Sequence, residues 1–297
     1  MAAGQRPVCA RHVVVAHDDD ADQPQRWYGT NLVGVPTHVL ASTAFNAHPV
    51  PLSIAGTCEA HPGLFTLLNG SRDLNDARDM FAHYLLIAFG LRKPTKHELA
   101  SLDPAEQRRW RSSWRKLLQG WGMDSNGTAG AVLKGWVESR FGMVPSFHKA
   151  VLARFPSEAW VAYLQEKAAS RHHSNNIHQQ LDLLFEYCQW ALRSHPPPVV
   201  AGQSPAHLRL WRGSNRFEEQ ISVGTLQDRR CTVRLNNLVS FSLSQEAASC
   251  FGDWVFEVQV PLCKVVVFPG MLPGQVLQGE QEVLALGGDY DVMARYA

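Results

Sequence analysis

Gly279-Glu280-Gln281-Glu282-Val283-Leu284-Ala285-Leu286 puts two carboxylates at the head of an apolar run. In an extended segment side chains alternate with period two, so Glu280 and Glu282 share one side while Gln281 turns away. Two acids so placed can reach one substrate together. Two further signals precede them. Leu208-Arg209-Leu210-Trp211-Arg212-Gly213 is an alternating apolar run ending in Arg-Gly. Val239-Ser240-Phe241-Ser242-Leu243-Ser244 is another, followed by Ala247-Ala248-Ser249-Cys250-Phe251. Singly, each signal reads as ordinary: a solvated acid pair, a turn, the punctuation at a strand end. Their joint order, each beside a strand, points to a site.

Around this stretch the period of the apolar residues changes. Before the triple proline Pro196-Pro197-Pro198 it is helical. Met80, Phe81, Tyr84, Leu85, Ile87, Ala88 and Leu91 recur at three- and four-residue spacing until Pro94. Ser101-Leu102-Asp103-Pro104 reads as the start of a helix carrying Arg108, Arg109, Arg111, Arg115 and Lys116 beside Trp110 and Trp114. Gly120, Gly122 and Gly127 mark a loop after it. Further helices are predicted over 128–140, 157–169 and 176–192. After the prolines the pattern alternates. It predicts strands over Leu208–Arg212, Arg230–Leu235, Leu238–Ser242, Trp254–Val260, Val265–Phe268 and Glu282–Leu286, with Tyr290–Ala294 as a last one. Helices followed by strands describe an α+β protein. We expect one domain over 1–297: a loop-rich segment 1–74, a helical part 75–198 and a β-rich core 199–297.

Composition narrows the classes. Of 297 residues, 45% are hydrophobic and 19% charged, as in ordinary globular proteins. A net charge of +1 gives no electrostatic case for nucleic-acid binding. No apolar run is long enough for a membrane span, and residues 1–20 reach Asp18-Asp19-Asp20 without the apolar centre of a secretory signal. Six scattered cysteines without a Cys-x-x-Cys pair suit reduced thiols in the cytoplasm better than a disulfide framework or zinc knuckle. His172, His173 and His178 lack zinc-protease spacing, so a metal site is not expected. Segment 30–46 is nearly uncharged, and its Pro and Gly residues forbid long elements, which suggests packing across a domain surface.

The arginine, the Ser-x-Ser and the Glu-x-Glu resemble the signature of the arginine-serine-glutamate class of mono-ADP-ribosyltransferases. The resemblance implies a helical N-terminal body on a C-terminal two-sheet β core, with NAD+ in the cleft between them. It implies that Glu282 is catalytic, that Glu280 marks arginine-directed enzymes, that Arg212 grips NAD+, that Ser240 steadies its pocket and that Phe251 stacks on nicotinamide. The chemistry fits these residue types. A carboxylate holding the ribose 2-hydroxyl more tightly as positive charge develops lowers the barrier to losing nicotinamide. A second carboxylate can hold and help deprotonate a guanidinium too basic to attack unaided. Arg212 can bind a diphosphate through two parallel hydrogen bonds, Gly213 permits close backbone approach, and Ser242 completes the Ser-x-Ser. Two departures stand out. The usual Ser-Thr-Ser is Ser-Phe-Ser here, and Gly252-Asp253-Trp254 replaces the arginine that follows the stacking phenylalanine in toxins, so part of the phosphate grip must differ.

Over most of its length, notably Asn31–Gly34, Leu40–Pro49 and Ile54–Thr57, the chain is similar to the dinitrogenase reductase ADP-ribosyltransferase family. That resemblance implies transfer of ADP-ribose to an arginine of the nitrogenase iron protein, reversibly inactivating nitrogenase, and control by PII-type nitrogen-signalling proteins. It also leads us to expect a mobile target-recognition loop at Gly270–Gln275. Alternatives of other classes are an NAD glycohydrolase, a transferase with another target, and a non-catalytic NAD-sensing protein.

Overall fold

The computed structural model describes residues 31–296 apart from 93–94, 102, 104–112, 153–154, 199–205, 226, 228, 275 and 278–280. The β-like run His12–Ala16 and most of the basic helix read around Arg108 lie outside the described residues. The uncharged segment makes short helices only, Thr37–Leu40, Thr43–Ala47, Thr57–Ala60 and Pro62–Leu68. Their turns are set by residues such as Gly56, whose φ of 83° suits a residue without a Cβ. Leu40, Ala41, Phe45, Leu52 and Ile54 enter the main core, which explains the lack of charge.

Long helices follow, four of them opened where a side chain accepts a backbone N–H. Asp73 caps α1 (Leu74–Ala88), Ser113 caps α2 (Trp114–Met123), Ser157 caps α4 (Glu158–Ala169) and Ser174 caps α5 (Asn175–Ser194). Between them, α3 (Thr128–Phe141) starts at Gly127 and ends on Gly142 at φ 72°. The sequence placed Gly120 and Gly122 in a loop, but both lie inside α2. The reason is contact: a Cβ on Gly120 would come within 2.6 Å of the Ala129 Cβ on α3, so glycine lets the two helices close.

Helix α5 is buried on nearly all sides, and its polar residues fasten other elements to it. Asp182 accepts from Trp136 Nε1 at 2.7 Å and from Arg140 Nε and Nη2 at 2.8 and 2.9 Å. Gln180 Oε1 accepts from the backbone of Trp114 at 3.0 Å. Gln189 Nε2 donates to the carbonyl of Val265 at 2.8 Å, tying helix to sheet.

A two-stranded antiparallel ribbon, Phe147–His148 with Ala150–Val151, follows α3. The strands of the main sheet are β1 (His207–Ser214), β2 (Ile221–Val223), β3 (Arg230–Ser242), β4 (Trp254–Pro261), β5 (Val265–Val267) and β6 (Glu282–Tyr296), with the short helix α6 (Gln245–Ser249) between β3 and β4. They form one antiparallel six-stranded sheet in the order β2-β3-β1-β4-β6-β5, and β3 also pairs with β6. One contact, Trp211 opposite Ser242, joins β1 to β3 and closes the circuit β1-β4-β6-β3. Two pairs of expected strands are therefore continuous. Arg230–Leu235 and Leu238–Ser242 form β3, with an irregularity between Leu235 and Leu238. There Asn237 Nδ2 donates to the carbonyls of Lys134 and Met143 at 2.9 and 2.8 Å, and Asn236 Nδ2 donates to that of Phe147 at 2.8 Å. The bulge thus re-aims two side chains at the helical body without ending the strand. Likewise β6 runs through Gly287, where any Cβ would collide with the carbonyl oxygen of Asn236.

One apolar cluster runs from Leu40 to Ala294 through helices and sheet. It also takes in Met271 and Leu272, and Tyr187 donates to the Met271 carbonyl at 3.0 Å. The expected mobile loop at Gly270–Gln275 is therefore tied down at Met271 and Leu272, while Gln275 lies outside the described residues. Apolar side chains drive this segment inward. Among the described residues no helix is long and apolar enough to cross a membrane. Asp182 accepts from three donor groups in the interior, two of them on Arg140. Asp182→Ala would strand them and should lower unfolding free energy by about 3 kcal/mol. Urea unfolding checks this, and an unchanged midpoint would contradict it.

Candidate functional site

Register brings the three signals together. Ser242 lies opposite Glu282 across β3 and β6, and opposite Trp211 across β3 and β1. Arg212, the residue after Trp211, reaches the same place by donating to the Ser240 carbonyl, and Arg212, Ser240, Ser242 and Glu282 line one cleft together with Gly213 and Phe251. The cleft holds about 2120 Å³, with the sheet on one side and α2, α3 and the Ser146–Val151 segment on the other.

Alternation explains the Ser-Phe-Ser centre. Phe241 points away from the cleft, is 2% exposed and meets Tyr290 edge-on at 6.1 Å, so a large apolar side chain there fills the core. Ser240 does two jobs. Its carbonyl accepts from Arg212 Nη1 at 2.7 Å, and its Oγ accepts from Trp121 Nε1 at 2.9 Å. Ser242 Oγ accepts from the backbone N–H of Ser244 at 3.0 Å, fixing the turn into α6. Glu282 is half-buried at the first position of β6.

Arg212 is the cleft cation that stands near Glu282. Burial lowers its pKa, while the nearby Glu282 carboxylate acts in the opposite sense. The guanidinium stays charged in either case. Its Nε is buried and has no hydrogen-bond partner, and Gln220 Oε1 is in the same condition on the same cleft wall. A buried donor on a charged group without an acceptor is costly. A phosphate oxygen arriving in the cleft would satisfy it.

Gly213 has a structural role of its own. A Cβ there would collide with the carbonyl oxygen of Ala248, so α6 rests directly on β1. Gly252 likewise lies against Ser214 and Asn215, where a Cβ would come within 2.7 Å of the Asn215 nitrogen. These contacts set the loop that presents Phe251, whose side chain is 73% exposed at the cleft and available for stacking. Glu280 lies outside the described residues.

Sequence reasoning missed the helical wall. Trp121 is a core residue, 4% exposed, yet its indole N–H reaches across to Ser240. Lys134, 1% exposed, donates to Asn126 Oδ1 and the Phe147 carbonyl at 3.1 and 3.0 Å. Burial pushes its pKa down to about 8, with Asp124 and Glu166 pulling it up. Its ammonium sits 6.0 Å from the Trp121 ring centre. Nothing in the periodicity separates these cleft residues from their core neighbours, because the same helical face serves both. Among the described residues no group of acidic, His and Cys side chains could hold a metal ion.

The Trp121 hydrogen bond connects the helical body to the strand that orients Arg212. Trp121→Phe keeps most of the ring and removes the donor. It should weaken dinucleotide binding about fivefold, the worth of one hydrogen bond of ~1 kcal/mol. Calorimetry on a variant with unchanged circular dichroism measures this, and unaltered affinity would contradict the link.

The sequence profile of the family described as Dinitrogenase reductase ADP-ribosyltransferase (DRAT) matches residues 30–294. The chain is also 44% identical over 279 residues to the NAD(+)--dinitrogen-reductase ADP-D-ribosyltransferase of Rhodospirillum rubrum, covering 94% of this chain and 99% of that protein. No solved structure matches it. By this similarity over nearly its whole length, the chain belongs to the dinitrogenase reductase ADP-ribosyltransferase family.

Proposed function

We propose that this chain transfers ADP-ribose from NAD+ to an arginine of the nitrogenase iron protein and so switches nitrogenase off. The observation that carries the reading is the single cleft lined by Arg212, Ser240, Ser242 and Glu282, in which Ser242 lies opposite Glu282 and Arg212 Nη1 donates to the Ser240 carbonyl. The substrate follows the name of the Rhodospirillum rubrum relative. The fit to NAD+ rests on the cleft's size, on the acceptor-less Nε of Arg212 and on the exposed Phe251 ring.

In this reading Arg212 binds the diphosphate, with its Nη1 held by the Ser240 carbonyl so that Nε faces the ligand. Phe251 stacks on the nicotinamide ring. The bond between nicotinamide and ribose breaks, its electron pair leaves with nicotinamide, and the ribose becomes a short-lived cation. Glu282, anionic beside Arg212, holds the 2-hydroxyl and is complementary to that cation. The guanidinium of the target arginine then attacks and loses a proton, and Glu280 positions it and accepts that proton.

The expected organisation belongs to the same proposal. Bent at the Leu235/Leu238 irregularity and closed at Trp211–Ser242, the sheet suits the two-sheet β core of mono-ADP-ribosyltransferases. The continuous core supports a single domain over 1–297. A PII-type nitrogen-signalling protein as regulator and a cytoplasmic location rest on the family resemblance.

Labelled NAD+ given with purified iron protein should label that protein. Release of free ADP-ribose without labelling would favour a glycohydrolase. Glu282→Gln should abolish transfer, by at least a hundredfold in kcat, while NAD+ still binds. Near-normal transfer would overturn the mechanism. Glu280→Gln should lose arginine modification and retain NAD+ hydrolysis, measured as nicotinamide release. Arginine transfer at the wild-type rate would remove Glu280 from its role.

A further inference from the structure

Besides Phe251, three large apolar side chains stand in solvent around the mouth of the cleft. Met123 is 77% exposed at the C-terminal end of α2, Val151 is 62% exposed on the ribbon that follows α3, and Val223 is 66% exposed at the end of β2. All three border the cleft that holds Arg212 and Glu282. A single exposed apolar residue needs no explanation, but exposed apolar residues gathered at a site mark a contact surface. They also come from both walls, two from the helical side and one from the sheet, so whatever covers them spans the opening.

The volume of the cleft points to a second occupant. Pockets that enclose a small ligand hold roughly 300–1,000 Å³, whereas this cleft holds about 2120 Å³. A dinucleotide lying between Arg212 and Phe251 leaves the outer part open. Arginine transfer requires a guanidinium, carried on a protein surface, to come in from outside and reach the sugar beside Glu282. The surround of that arginine must then come to rest on the mouth.

We propose that Met123, Val151 and Val223 form an apolar collar that docks the acceptor protein, seating a largely apolar surface around the arginine to be modified. This rests on the arginine-transferase reading. The collar contributes binding of the protein acceptor and nothing to the chemistry of NAD+. A small guanidine such as agmatine, with no protein around it, does not use the collar.

Met123→Glu and Val223→Glu, made separately, place a charge on each wall at exposed positions where the fold bears it. Each should lower kcat/KM for the iron protein at least tenfold, through KM. ADP-ribosylation of agmatine should stay within twofold of wild type. Equal losses with both acceptors, or no loss with either, would overturn the collar. So would a change in sedimentation with acceptor kinetics intact, because the collar would then pair two copies of this chain. A wild-type chain that modifies neither acceptor would overturn the transfer reading itself, and the collar with it.

Discussion

Everything in the site depends on how β3 lies against its neighbours. Its last residue, Ser242, is paired on one edge with Glu282 and on the other with Trp211. A slip of one residue would turn every side chain to the opposite face. Ser240 and Ser242 would then turn away from Glu282, and the Phe241 side chain would leave the core. The register is defended by burial: Phe241, Val239 and Val283 are all core residues, and exposing that face would cost several kcal/mol. The packing of the sheet thus decides where the charges stand.

The charges alone are not the site. Arg212 is held by a carbonyl of β3 and stands near Glu282, and its buried Nε is without a partner. The helical body reaches the same strand twice. Trp121 holds Ser240 from one end, and the carbonyls of Lys134 and Met143 hold Asn237 at the bulge. The helices are therefore part of the binding apparatus, because they fix the strand that aims the arginine. Gly120 of α2 and Gly213 of the Arg-Gly pair serve the same end, since each permits an element to lie directly on its neighbour.

Much of this was legible in the letters. Alternation around Arg212, Ser240 and Glu282 placed all three on strands, and the helical period located α1, α4 and α5 to within a few residues. What was not legible came from contacts distant in the chain. Gly120 reads as a loop residue until Ala129 is seen beside it. Asn236-Asn237 reads as a break between strands until its partners in the helical body are known. Trp121 reads as core because it is core, and its bond to Ser240 spans 119 residues of sequence. Gly270–Gln275 was expected to be a mobile loop; its described residues are turns and bends, but Met271 and Leu272 are apolar and pack into the core.

The central claim is that Arg212 and Glu282 grip one dinucleotide at its diphosphate and its nicotinamide ribose. A crystal structure of the chain with NAD+ tests it most directly. The account predicts phosphate oxygens within about 3 Å of the Arg212 guanidinium and the ribose 2-hydroxyl within the same distance of the Glu282 carboxylate. A dinucleotide bound elsewhere, or lying in the cleft with that ribose turned away from Glu282, would contradict it.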